Sequence, residues 1–140
     1  MKKLTVTAAV VAVIISVVAP VAAHGRPLSA DLNGANEVGG GDPDGSGSAH
    51  VTLNQGQGEV CFSVDTSDVD NILAAHIHVG AAGVNGGVVI SLEWATTGGS
   101  GCVTADAETI KQIRQNPSGY YINVHSPEFP AGAIRGQLSK

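Results

Sequence analysis

The stretch Ala74-Ala75-His76-Ile77-His78-Val79-Gly80 contains two histidines, one on each side of a single isoleucine. In an extended chain, side chains two residues apart point to the same side, about 6.5–7 Å apart along the strand. His76 and His78 are therefore predicted to share one face of a strand. The opposite, apolar face is predicted to consist of Ala75, Ile77 and Val79. This pattern predicts a half-buried strand with histidines on its polar face.

A second stretch, Tyr120-Tyr121-Ile122-Asn123-Val124-His125-Ser126, repeats the arrangement. Ile122 and Val124 fall on one face of the predicted strand, and Asn123 and His125 fall on the other. Two strands that each have an apolar face and a histidine-bearing face indicate a β scaffold that presents polar groups.

Similar short segments recur along the chain, separated by loops rich in Gly, Asp, Pro and Ser. Asp106 is a predicted N-cap for a helix that continues through Ile110 and Ile113 to Gln115. The further strand segments are residues 28–34, 49–54, 59–65, 88–94, 102–104 and 133–138. About eight short strands with one short helix predict an all-β Greek-key sandwich or barrel.

The N-terminal region has the features of a signal peptide. A short basic start, Met1-Lys2-Lys3, precedes an uncharged run over residues 4–19, and small residues end at Ala23. The run is shorter than the ~20 apolar residues that a membrane-spanning helix needs. We therefore predict a signal peptide over residues 1–23, cleavage after Ala23, and secretion of a mature chain without a membrane span.

The remaining chain is predicted to form one domain, with a flexible start over residues 24–27 and a β-sandwich over residues 28–140. The full chain has 12 acidic and 7 basic residues, a net charge of −5. This balance argues against nucleic acid as a partner, because nucleic-acid binding depends on Lys and Arg neutralising phosphates.

Cys61 and Cys102 are the two cysteines of the chain. Because exported proteins fold in oxidising compartments, we predict a disulfide between them. Free thiols or a metal-binding pair are the alternatives, but the sequence has no Cys-x-x-Cys spacing.

An acidic loop resembles the start of a calcium-binding EF-hand loop. Asp42, Asp44, Ser46 and Gly47 match positions 1, 3, 5 and 6 of that motif. Position 12, which requires a bidentate Glu, is Leu53. We interpret the segment as an acidic turn, with calcium binding as the alternative.

Four motifs, taken together and in this order, resemble the CHRD (chordin) domain family across residues 28–138. They are Leu32-Asn33-Gly34-Ala35-Asn36-Glu37-Val38, Ala75-His76-Ile77-His78, Tyr121-Ile122-Asn123-Val124-His125-Ser126 and Gly132-Ala133-Ile134-Arg135-Gly136-Gln137-Leu138. The resemblance implies an extracellular β-rich module to which no general enzyme activity is assigned. Its partner is an extracellular protein or surface that the sequence does not name.

His76, His78 and His125 are candidate metal ligands. Neutral imidazoles on adjacent strands can bind Zn²⁺ or Cu²⁺ at about 2.0–2.1 Å, and three histidines plus water form an open site. The His-x-His strand also looks like the copper-ligand strand of Cu/Zn superoxide dismutase. Only His24 and His50 remain, and neither is an evident counterpart of that enzyme's other metal histidines.

The interpretation that we favour is a structural role for the histidines, in which Asn123, Arg135 and Gln137 cross-link loops by hydrogen bonds. The sequence lacks a Gly-x-Ser-x-Gly elbow and a phosphate-binding Gly-x-x-x-x-Gly-Lys motif. Glu93 beside Trp94 is typical of carbohydrate sites, but glycosidase chemistry needs two placed carboxylates. We therefore predict a non-enzymatic binding or structural module with no required cofactor, and a Cu or Zn protein as the alternative.

Overall fold

The computed structural model describes residues 27–140, in which eight strands and two α-helices are found. The strands are β1 (Leu28–Asn33), β2 (Ser46–Asn54), β3 (Glu59–Ser67), β4 (Ala74–Val79), β5 (Val88–Ser91), β6 (Ser100–Thr104), β7 (Tyr120–His125) and β8 (Ile134–Gln137). The helices are α1 (Trp94–Thr97) and α2 (Ala107–Gln115). The predicted signal peptide and residues 24–26 of the predicted flexible start lie outside the described residues.

All eight strands belong to one antiparallel sheet, in the order β5-β4-β7-β8-β1-β2-β3-β6. The edge strands β5 and β6 are consecutive in sequence and are joined by a short segment that contains α1. In this segment α1 contacts β4 near one edge of the sheet and β6 at the other edge. The sheet is therefore a nearly closed barrel, and the all-β prediction is confirmed.

The core lies inside this curved sheet and is built from alternate residues of the strands. Ile77 on β4 and Ile122 on β7 are directly paired, and both are fully buried. Helix α2 adds Ile110 and Ile113, which are also fully buried. Its N-cap is Asp106, whose side chain accepts hydrogen bonds from the amides of Glu108 and Thr109. The predicted helix is thus confirmed, with the predicted cap.

Two local predictions were wrong. Val79 is 44% exposed instead of buried, because β4 ends at this residue and the pairing with β5 shifts register between Ile77 and His78. The predicted strand over residues 88–94 ends at Ser91, and Trp94 begins α1. The cause is Glu93, whose left-handed backbone conformation (φ 49°, ψ 46°) cannot continue an extended strand.

The predicted disulfide is confirmed: Cys61 and Cys102 are bonded, with an S–S distance of 2.04 Å. The two residues are directly opposite each other in the pairing of β3 with the edge strand β6. The bond therefore fixes that edge of the sheet. Within residues 27–140, no helix is both long enough and apolar enough to cross a membrane.

Candidate metal centre

Adjacent strands β4 and β7 bring the three candidate histidines onto one face of the sheet. In their antiparallel pairing, Asn123 is opposite His76 and His125 is opposite Ala74. Residues that are directly opposite share a face, and this face is the one turned away from the core. The ring centroids lie 5.6 Å apart for His76 and His78, and 5.0 Å apart for His76 and His125. The structure therefore brings together the three residues that the sequence pattern grouped.

His78 has one satisfied and one unsatisfied ring nitrogen. Its Nδ1 lies 2.9 Å from the carbonyl oxygen of Gly86. Because a carbonyl oxygen can only accept, Nδ1 carries the proton and Nε2 has a free lone pair. Nε2 is buried and has no hydrogen-bond partner among the described residues. An unsatisfied buried acceptor of this kind costs about 1–3 kcal/mol.

His125 is held in the same tautomer by a different loop. Its Nδ1 donates to the carbonyl oxygen of Pro130, at 3.1 Å. Its Nε2 is therefore an acceptor, and it accepts a hydrogen bond of 3.1 Å from Nδ1 of His76. Metal-binding histidines are usually oriented in this way, with the nitrogen that does not bind the metal donating to a carbonyl or carboxylate.

The ring nitrogens of the three histidines lie close enough together to be candidate ligands of one metal ion. Two nitrogens bound tetrahedrally at 2.0–2.1 Å are about 3.3 Å apart, close to the separation of His76 and His125. One ligand atom from each of the three histidines lies within 4.8 Å of the others. To bind one ion, the three rings would have to move closer together, and the ion would replace the hydrogen bond between His76 and His125.

The surroundings of His76 and His125 favour the neutral imidazole, which is the form that binds metals. Burial lowers the pKa of His76, and the neighbouring His125 and His78 lower it further, while the charge of Glu93 raises it. Burial also lowers the pKa of His125, against the hydrogen bond to Pro130, which raises it. His78 thus makes both His76 and His125 harder to protonate.

A second layer of residues fixes the position of His78. The Tyr121 ring stacks on the His78 ring, with centroids 4.9 Å apart and planes at 9°. The Tyr121 hydroxyl also accepts from the amide of Gly86, the residue that binds His78 through its carbonyl. Sequence reasoning missed Tyr121 and Gly86, because neither a backbone carbonyl contact nor a ring stack leaves a motif in the sequence.

Arg135 and Gln137 hold the segment that contains Gly86, here called the 80–87 loop. Arg135 is 1% exposed and donates to the carbonyls of Ala81 and Val84 and to the side chain of Asn85. Gln137 donates to the carbonyl of Gly80. The side chains of Arg135 and Gln137 are thus both hydrogen-bonded to this loop.

Asn123 does not have the loop-linking contacts of Arg135 and Gln137. It is 3% exposed, and its Oδ1 has no hydrogen-bond partner among the described residues. It lies near Glu37, whose buried Oε1 also lacks a partner in this part of the chain. Burial raises the pKa of Glu37, while the charge of Arg135 and the neighbouring side chain of Asn123 lower it.

The acidic loops line a separate cavity of about 690 Å³. The carboxylate of Asp42 accepts hydrogen bonds from the amides of Asp44 and Gly45, as expected for an acidic turn. Within residues 27–140, two groups of side chains bring three ligand atoms together, and neither includes these aspartates. One is the histidine cluster; the other contains Glu59 and the two disulfide-bonded cysteines.

Comparison with protein families gives a match to the CHRD domain over residues 28–138. Comparisons with curated proteins and with solved structures gave no match. The family match spans nearly the whole chain and includes the strands that carry the histidines, Arg135 and Gln137. The resemblance indicated by the four sequence motifs is thereby confirmed, and the chain belongs to the CHRD domain family.

Proposed function

We propose that this protein is a secreted, non-enzymatic CHRD module that binds Cu²⁺ or Zn²⁺ through His76, His78 and His125. Membership in the CHRD family supports a binding or structural module. The disulfide fits secretion, because such bonds persist in oxidising compartments. The histidine cluster indicates that the ligand of this binding module is a metal ion.

The unpartnered Nε2 of His78 is the observation that carries the proposal. A purely structural histidine at a buried position is expected to satisfy both ring nitrogens. Here Nδ1 is bonded to a carbonyl, Nε2 is buried without a partner among the described residues, and two further imidazoles lie beside it. A bound metal ion would supply the missing partner.

The ligand chemistry narrows the choice of ion. Imidazole nitrogens suit copper and zinc, whereas calcium and magnesium prefer oxygen ligands. Among divalent first-row metals, Cu²⁺ generally binds such sites more tightly than Zn²⁺. Copper is therefore the expected occupant where both ions are present in equal amounts.

Metal titration of the purified protein tests the proposal. Isothermal titration with Cu²⁺ and with Zn²⁺ should give saturable binding of a single ion, and the triple variant H76A/H78A/H125A should lose it. The control is H50A, because His50 is exposed on β2, away from the cluster. Circular dichroism reports whether each variant is folded. Unchanged binding in a folded triple variant, or no binding by the wild type, would overturn the proposal.

A further inference from the structure

We propose that reduction of the Cys61–Cys102 disulfide creates a second metal site, in which the two thiolates and the carboxylate of Glu59 bind Zn²⁺. These side chains form one of the two groups within residues 27–140 whose ligand atoms all lie within 4.8 Å of one another. The histidine cluster contributes no ligand here, so the inference does not depend on the proposed function. The disulfide thereby acts as a redox gate for metal binding.

Strand geometry holds the three side chains on the outer face of the β3–β6 edge. Cys61 and Cys102 are directly opposite each other, and Glu59 is two residues before Cys61 on β3. Residues two apart on a strand share a face, and Val60 between Glu59 and Cys61 is fully buried, so both point away from the core. Consistent with this placement, Oε1 of Glu59 lies 3.6 Å from Sγ of Cys61.

The disulfide state cannot bind an ion at this position. A disulfide sulfur carries no negative charge, whereas the thiolate is the form of cysteine that binds metals. Two sulfurs bound to one tetrahedral Zn²⁺ at about 2.3 Å are about 3.8 Å apart, a separation that a covalent bond between them forbids. The carboxylate has no such obstacle, because a sulfur and an oxygen bound to the same Zn²⁺ lie about 3.6 Å apart. Reduction is therefore the step that opens the site.

The pairing of β3 with β6 does not rest on the disulfide alone. The two strands pair over five residue pairs. Beyond one end of this pairing, the amide of Ala105 donates to the carbonyl of Gly58, and beyond the other end the amide of Val64 donates to the carbonyl of Gly99. Opposite residues of such a pair have Cβ atoms about 4.5–5.5 Å apart. The reduced cysteines are therefore held near enough to share an ion.

The disulfide is also accessible to a reductant. Cys102 is exposed on the edge strand β6, Cys61 is half-buried, and exposed disulfides are the more easily reduced ones. One sulfur of a dithiol forms a mixed disulfide with one cysteine, and its second sulfur then displaces that cysteine. The dithiol leaves as its own disulfide, and the protein gains two electrons and two protons as two thiols. Binding of Zn²⁺ releases both protons.

The mixed ligand set favours zinc over other ions. Thiolates suit Zn²⁺ and Cu⁺, whereas calcium and magnesium prefer oxygen ligands alone. A carboxylate oxygen is an ordinary zinc ligand at about 2.0–2.2 Å, and it is a harder ligand than Cu⁺ prefers. With two thiolates and the Glu59 carboxylate bound, water completes the four-coordinate zinc.

Cobalt titration of the full-length protein tests the gate. The protein is reduced with a phosphine, desalted under nitrogen and titrated with Co²⁺, whose bonds to thiolates give charge-transfer absorption that imidazole and carboxylate ligands do not produce. This absorption should saturate with a single Co²⁺ in the reduced protein and be absent from the oxidised protein and from C61A/C102A. Zn²⁺ should remove it and should protect both cysteines from iodoacetamide.

The variant E59Q tests the third ligand. It should weaken Zn²⁺ binding by the reduced protein at least about tenfold, because even residues that only orient metal ligands contribute about 10–100-fold. E128Q is the matched control, since Glu128 is exposed, and should bind as the wild type does. Equal affinities of E59Q and the wild type would refute the three-ligand site.

Circular dichroism of the reduced, metal-free protein reports folding separately. A reduced chain that unfolds, or one that stays folded and gives no thiolate absorption with Co²⁺, would refute the redox gate. Repeating the titration in H76A/H78A/H125A distinguishes the two metal sites. Thiolate absorption should persist there even if the histidines bind no ion, and saturable binding by the oxidised wild type should persist even if the reduced cysteines bind none.

Discussion

The guanidinium carbon of Arg135 lies 3.3 Å from the centroid of the Tyr121 ring, and that ring stacks on His78. Cation–π contacts of this kind contribute about 1–2 kcal/mol when they are shielded from water. The same Arg135 donates to backbone carbonyls of the 80–87 loop, and the carbonyl of Gly86 in that loop accepts a hydrogen bond from His78 Nδ1. These contacts therefore join the 80–87 loop, Arg135, Tyr121 and His78 into one connected unit beside the candidate metal centre.

Gly86→Ala should disturb this unit. A Cβ at Gly86 would lie 1.5 Å from the carbonyl oxygen of Val79, so the 80–87 loop must move and the bond to His78 Nδ1 must weaken. We expect metal affinity to fall about tenfold or more, as for other partners that orient metal ligands. Isothermal titration measures this change.

Gly87→Ala is the control, because a Cβ there meets no atom within 4 Å. Equal affinities of the two glycine variants would show that the Gly86 carbonyl does not orient His78.

Arg135→Met should destabilise the fold by about 1.5–3 kcal/mol, because it removes the hydrogen bonds of a buried, charged guanidinium to the carbonyls of Ala81 and Val84. Arg135→Lys keeps the charge but loses the planar fork, so it should recover only part of this loss. Urea unfolding monitored by circular dichroism gives the free energies.

Arg114→Met, on the surface of α2, is the matched control and should change stability little. A wild-type free energy of unfolding in Arg135→Met would contradict the structural role of this arginine.

Replacing both cysteines, Cys61→Ala with Cys102→Ala, should lower the free energy of unfolding by about 2–4 kcal/mol. The bond closes a loop of 41 residues in sequence and ties β6 to β3, so its loss enlarges the unfolded ensemble and frees the sheet edge. Thermal unfolding of the variant and of the reduced wild type should agree. Iodoacetamide labelling of both cysteines in unreduced, urea-unfolded protein would show that the bond does not form.

Glu37→Gln should stabilise the fold at pH 7. Burial raises the pKa of Glu37 above 4.5, so folding favours the protonated carboxyl. The contribution of the protonated Glu37 side chain to stability is thus fully present below pH 4.5. It is lost as the pH rises through the higher pKa of the folded state. Gln cannot ionise, and its advantage over Glu should therefore grow with pH.

Urea unfolding at pH 4 and at pH 7 measures this difference. Glu128→Gln, at an exposed position, is the control and should show little change between the two pH values. A Glu37→Gln variant that is less stable than the wild type at pH 7 would show that the carboxylate form is the stabilising one.

Much of the fold follows from local patterns that a sequence shows directly. Alternation predicted β4 and β7 and the faces of Ile77, Ile122 and the histidines, because side chains in a strand alternate regardless of what surrounds it. Predictions from local patterns were wrong where the backbone left the extended conformation or the strand ended. Glu93 turns the chain into α1, and Val79 lies at the end of its strand, where no core is left to cover it.

The sequence by itself determined which residue types the candidate site could contain: a His-x-His strand, a third histidine on another strand, and an arginine near the end of the chain. Only the tertiary structure decided how they meet. Nitrogens of His76 and His125, 49 residues apart in sequence, come within 3.1 Å because β4 pairs with β7 in one particular register. The protonated nitrogen of His78 is fixed by a carbonyl of the 80–87 loop. Alternation is a property of the local backbone, whereas register and loop contacts depend on packing between distant segments, which no short stretch of sequence encodes.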